Sequence, residues 1–128
     1  MKKLVLVFLA ILITVIAYSQ DCSSVKFGKF KIVFEADTFK VETIITRTKD
    51  IQIEEVSDGT KLQFHVKWTS PCSYELSKPK VLKGNLEHVA DDQVLFVKIL
   101  KVTPDFYTAE MTSNFADVKA TKDIQILH

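Results

Sequence analysis

Arg47, Gln52 and His65 are the polar side chains that spacing can bring together. Lys49 and Asp50 read as a two-residue turn, which sets Arg47 opposite Gln52. Asp58 and Gly59 read as another, which sets Gln52 opposite His65, with Glu54 and Gln63 in the adjacent row. Turned into a barrel, this row would let Arg47 hold a carboxylate or other anionic head group through its two-pronged donor geometry. Turned to solvent, it is a charged surface with a cross-strand pair or two. The opposite row, Ile44, Thr46, Ile51, Ile53, Leu62, Phe64 and Val66, is core-like. A half-buried strand turns its apolar face inward, so Arg47, Gln52 and His65 are expected outside and Phe64 inside.

With that orientation a cavity would be lined by Phe30, Ile44, Ile53, Phe64, Trp68, Tyr74 and Met111 and would suit an apolar or aromatic ligand. The competing expectation, favoured in a domain this small, is that these side chains fill the barrel. Trp68 and Tyr74 stand out because each needs a partner for its polar tip when buried. Catalytic chemistry has little to stand on. His88 with Asp91 and Asp92 fits a solvated loop, no serine or cysteine has a placed base, and no two histidines are spaced as metal ligands. A glycine-rich phosphate loop is also missing. The expectation is a protein that is not an enzyme, with no catalytic residues, metal or cofactor.

The elements that position these residues are strands. Gly28–Glu35 alternates, with Phe30, Ile32 and Phe34 on one face, and Ala36 to Thr38 turn the chain into Phe39–Thr48. Ile51–Val56 follows, then the run through Leu62, Phe64, Val66 and Trp68. A loop at Thr69–Pro71 would set Tyr74 opposite Val66 in a fifth strand, Cys72–Ser77, which Pro79 ends. A short helical turn is expected near 85–92, with Asn85 as its cap. Gln93–Val102, apolar on both faces, reads as a buried strand, and Phe106–Ser113 and Asp117–Leu127 complete eight. Eight sequential strands joined mostly by short loops predict an all-β fold, an antiparallel up-and-down barrel or strongly curled meander, with a β-sandwich as the alternative.

Lys2 and Lys3 precede an unbroken apolar run from Leu4 to Ala17, and Ala17-Tyr18-Ser19 fits a cleavage site, so residues 1–19 read as a signal peptide and 20–128 as a single barrel domain. The run is too short to span a bilayer, and no membrane anchor is expected after cleavage. Losing Lys2 and Lys3 leaves 15 basic residues against 16 acidic ones, a net charge of −1, with no basic excess for nucleic acid. In an exported chain, periplasmic or secreted, Cys22 and Cys72 are expected to pair.

Phe27-Gly28-Lys29-Phe30 ahead of meandering strands resembles the calycin architecture of lipocalins and fatty-acid-binding proteins, whose first strand carries glycine, any residue, then an aromatic. The layout also resembles a group of small exported bacterial proteins of unknown function. The shared features are Cys22 before Phe27 and Phe30, Ile45 with Arg47, Gln52 with Glu54, Val66 with Trp68, and Cys72 with Tyr74. Such proteins sometimes carry a topoisomerase label, which the export signal, the size and the lack of a basic surface contradict. The eight-strand count with a surplus of aromatic residues leads to the expectation of a lipocalin-like, non-enzymatic binding protein for a small amphipathic or apolar ligand. The alternative is a protein-interaction module such as a periplasmic inhibitor of a lysozyme-type hydrolase, since Ser57 to Lys61 resembles the short inhibitory loop of some of these.

Overall fold

The computed structural model describes residues 21–85 and 89–128. The expected signal peptide, and His88 with part of the expected helical turn near 85–92, lie outside the described residues. Eight antiparallel strands run in sequence order and close on themselves: β1 (Gly28–Ala36), β2 (Phe39–Arg47), β3 (Ile51–Val56), β4 (Lys61–Ser70), β5 (Ser73–Lys83), β6 (Leu95–Val102), β7 (Phe106–Ser113) and β8 (Ala120–Leu127). Closure comes from pairing of β1 with β8, Lys29 to Lys31 against Leu127 to Gln125. The expected up-and-down barrel is therefore present and the sandwich is not. The helical element among the described residues is a single 3-10 turn, Ser23–Val25, just before β1. Asp91 and Asp92 form a simple turn.

Up-and-down order sends alternate connections to opposite ends. The β2–β3, β4–β5 and β6–β7 turns lie at one end with the 3-10 turn and the C-terminus; His128 Nε2 is 3.2 Å from the Pro104 carbonyl oxygen. This end is tied by the expected disulfide, Cys22–Cys72, which joins the lead into the barrel to the β4–β5 turn. Val25 is fully buried beneath it and plugs that end. The β1–β2, β3–β4, β5–β6 and β7–β8 connections form the other end.

The register of β2 on β3 follows the expected turn, with Arg47 opposite Gln52. The next hairpin does not. Val56 and Thr60 close a three-residue loop, Ser57-Asp58-Gly59, in which the Val56 N–H donates to the Thr60 carbonyl at 2.8 Å and the Gly59 N–H to the Val56 carbonyl at 2.9 Å. Gly59 sits at φ +95°, the glycine-favoured position that ends such loops. One loop residue more than expected moves the register by one, and in a strand that exchanges the faces. Gln52 pairs with Phe64 rather than His65, and Glu54 pairs with Leu62. Since Cα partners share a face, Arg47, Gln52 and Glu54 lie on the same side of the sheet as Leu62, Phe64 and Val66, and that side is the interior.

Three further expectations are corrected. β5 does not end at Pro79: it continues to Lys83, and its pairing with β4 shifts at bulges that accommodate proline, with Lys78 at φ +49°. The β4–β5 turn is tighter than expected, so Val66 pairs with Leu76 and Trp68 with Tyr74, which leaves Tyr74 on the expected face but one pair along. β6 is not buried on both sides: Val97 and Ile99 point in while Phe96 and Leu100 are exposed, and a bulge between Ile99 and Lys101 returns Val102 to the interior packing.

Candidate functional site

Arg47 is the largest fully buried side chain among the described residues, 2% exposed, and its neighbour Gln52 is buried to the same degree. A guanidinium so placed must find acceptors, since an unpaired buried charge costs several kcal/mol. Four bonds supply them. Nε donates to Gln52 Oε1 at 2.9 Å, Nη1 to the Val25 carbonyl at 2.7 Å, and Nη2 to the hydroxyls of Tyr74 at 2.8 Å and Tyr107 at 2.9 Å. The guanidinium carbon also lies 4.7 Å from the ring centroid of Phe30 and 4.5 Å from that of Tyr74, where π faces add attraction. Phe30 in turn meets Tyr107 edge to face at 5.4 Å. Burial opposes the charge on Arg47, but Tyr74, Tyr107 and Glu54 more than offset it, and its pKa lies above the ordinary value. Burial pushes the Tyr74 phenol well above its usual range, so it stays a neutral hydroxyl.

This cluster is the floor of a chamber. Above it a cavity of about 350 Å³ is bordered by Ile32, Ile45, Leu76, Val97, Met111 and Ile124 among its apolar walls, and by Thr43, Gln52, Glu54 and Tyr74 among its polar ones. It reaches the end opposite the disulfide, where Phe34 of β1 and Phe115, Ala116 and Val118 of the β7–β8 connection frame the mouth. A second apolar space of about 220 Å³ shares Leu76, Leu95 and Phe115 with the first and extends to Phe64, Pro79 and Val89. It arises because β5 pairs with β6 only over Ser73–Leu76, so the far half of β5 stands beyond β6, and Val89 and Gln93 border the gap. The barrel is thus not simply filled.

Glu54 is the charged residue of the cavity wall. Its residual exposure opens onto the cavity rather than the outer surface, and desolvation there, only partly countered by Arg47, raises its pKa to about 7. Among the described residues no side chain hydrogen-bonds its carboxylate. Gln52 offers its carbonyl to Arg47, and its amide NH₂ has no hydrogen-bond partner among the described residues.

The structure brings together Arg47, Gln52 and Tyr74, and sets Phe64 on the same interior face in the second space. His65, expected beside Gln52, is exposed on the outer face, the consequence of the extra loop residue. The expectation that Arg47 and Gln52 face solvent is overturned for the same reason. Of the expected cavity residues, Tyr74 and Met111 line the main cavity, Phe30 lies in the floor, and Ile44 and Ile53 point outward. Trp68 packs on Tyr74 at 4.8 Å and under Lys26 near the tied end, with its buried Nε1 unpartnered among the described residues.

Sequence reasoning missed Tyr107 and Val25. They lie 60 and 22 residues from Arg47, and the signal that could have found them is the demand of a buried guanidinium for acceptors. Among the described residues no group of three His, Cys, Asp or Glu stands close enough to hold a metal ion. No family model, curated protein or solved structure matches the chain.

Proposed function

We propose that this protein is an exported, non-enzymatic binding protein whose barrel takes up a small amphipathic molecule through the mouth framed by Phe34 and Phe115. The observation that carries this reading is the cavity itself: about 350 Å³, mostly apolar, open at one end, with a few polar groups at its wall and floor. That is the usual anatomy of a small-molecule site, in which apolar walls provide affinity and sparse polar groups provide orientation. The Cys22–Cys72 disulfide fits an oxidising compartment, in keeping with the apolar leader that begins the sequence. The hydrolase-inhibitor alternative has less support, because the Ser57–Gly59 loop folds back onto β2: the Ser57 N–H donates to the Glu42 carbonyl at 2.8 Å, and Ser57 Oγ accepts from the Glu42 N–H at 3.1 Å.

Titration with the neutral fluorophore N-phenyl-1-naphthylamine tests the reading. Saturable one-to-one binding with a blue-shifted emission is expected, and Met111→Trp, which fills the cavity, should weaken it at least about tenfold. Absence of saturable binding, or binding untouched by Met111→Trp, would overturn it.

A further inference from the structure

An arginine inside a ligand-binding barrel invites the idea of an anionic ligand, and the geometry argues against it. Four of the five N–H donors of Arg47 are committed: Nε to Gln52, one Nη1 hydrogen to Val25, and both Nη2 hydrogens to Tyr74 and Tyr107. Arg47 lies behind the cavity wall rather than in it, whereas Gln52, Tyr74 and Glu54 border the cavity themselves. To reach the guanidinium, a ligand carboxylate would have to pass between the side chains of that wall and then sit near a second carboxylate, that of Glu54. An ammonium group meets no such obstacle. It finds in Glu54 a carboxylate with no hydrogen-bond donor among the described residues, in surroundings that exclude most water and strengthen a charge-assisted bond.

We propose that Glu54 is the polar anchor of the cavity and selects an amphipathic amine, whose nitrogen hydrogen-bonds the Glu54 carboxylate while its apolar part lies among Ile32, Ile45, Leu76, Val97 and Met111. This rests on the reading of the cavity as a ligand site. Among the described residues, the charged and titratable groups that interact with Glu54 are Arg47 from β2 and, at the floor, Tyr74 from β5. Tyr74 remains neutral, and the positive charge of Arg47 opposes a cation but stands further back, behind the cavity wall. Because Glu54 titrates near pH 7 when the cavity holds no cation, amine binding requires it to lose a proton, and affinity follows pH.

The test compares n-octylamine, n-octanol and n-octanoate, three probes with one chain and different heads, by calorimetry on the full protein and on Glu54→Gln. At pH 8 octylamine should bind about tenfold or more tighter than octanol, with octanoate weakest. Glu54→Gln should abolish the amine's advantage and leave octanol within about twofold. In the unsubstituted protein octylamine affinity should fall about tenfold per unit as pH drops below 7, while octanol stays flat; this series needs no variant to fold. Octanoate binding as tightly as octylamine, or an amine advantage that survives Glu54→Gln or ignores pH, would overturn the assignment to Glu54 while leaving the cavity reading intact. Failure of all three probes to bind would overturn both.

Discussion

Gln52 stands directly across the β2–β3 hairpin from Arg47 and accepts its Nε hydrogen at 2.9 Å. A neutral amide thus occupies the place where a carboxylate would form a buried ion pair. The positive charge is held by neutral acceptors and aromatic faces, and the nearby carboxylate, Glu54, is left to the cavity.

Lysine at position 47 should not substitute for arginine. A lysine ammonium is a compact point charge and cannot present a planar fork to Gln52, Val25, Tyr74 and Tyr107 together. Arg47→Lys is expected to destabilise by about 2–4 kcal/mol in urea unfolding. Stability within about 0.5 kcal/mol of the parent would show that the network contributes little.

Tyr74 and Tyr107 share one guanidinium nitrogen, and their hydroxyls are 3.2 Å apart. Each single change to phenylalanine should cost about 1–3 kcal/mol, as expected for a bond to a charged group. Tyr74→Phe together with Tyr107→Phe should depart from additivity by at least about 0.5 kcal/mol in a double-mutant cycle. Strict additivity would mean that the two hydroxyls act independently.

Glu54 gives stability an unusual pH dependence. Its value in the folded protein, about 7, lies above its ordinary 4.5, so between those limits the folded state keeps a proton that the unfolded chain has released. Its contribution is fully favourable below pH 4.5 and is lost as pH rises through 7. Allowing for its partial exposure, the loss amounts to about 1–3 kcal/mol. Glu54→Gln should therefore be more stable than the parent by about this amount at pH 8, with the gap closing toward pH 4.5. Parallel stability profiles from pH 4.5 to 8 would contradict it.

The strand content of this chain was legible because most runs alternate at period two between clear turns. Ile51–Val56 and Phe106–Ser113 have the expected bounds. Which way β2 and β3 faced was not legible, chiefly because of one loop. Asp58-Gly59 is compatible with a two-residue loop and with the last two positions of a three-residue one, and only the closing bond from the Val56 N–H to the Thr60 carbonyl, with Asp58 outside the positive-φ region, distinguishes them. The faces of β2 and β3 are read against β4 through that parity, which is why Arg47 and Gln52 were expected outside and His65 beside them. The apolar row at Ile44, Ile51 and Ile53 misled in the same direction, since a barrel this small leaves many branched apolar side chains on its outer wall. The second apolar space was beyond reach because it depends on where β5 outruns β6, and Pro79 disguised the length of β5.

The loop itself can be tested. Gly59→Ala should cost about 1–2 kcal/mol through backbone strain, as no atom lies within 4 Å of the added methyl. Deleting Asp58 should be far worse, because a two-residue loop would turn Phe64 outward and His65 inward. No cooperative thermal transition is expected for the deletion by circular dichroism. A deletion variant that melts cooperatively near the parent would mean that β4 can repack in the other register.

Removing the disulfide should loosen one end first. Cys22 and Cys72 are 50 residues apart, and replacing both by serine is expected to cost about 2–4 kcal/mol. Because Val25 accepts from Arg47 just below the bridge, amide exchange should accelerate at Val25 and Lys26 more than in β7. Uniform acceleration across the barrel would point instead to a purely global effect.

The lead into β1 and the last residue of β8 both leave the barrel at the end sealed by Val25 and the disulfide. A tag, linker or solid support attached through either side of the chain would therefore hold the molecule by its base and leave the mouth facing freely outward. Immobilised this way, the protein could be presented to solutes or to a surface with Phe34 and Phe115 foremost, and the orientation would be inherited from the even number of strands.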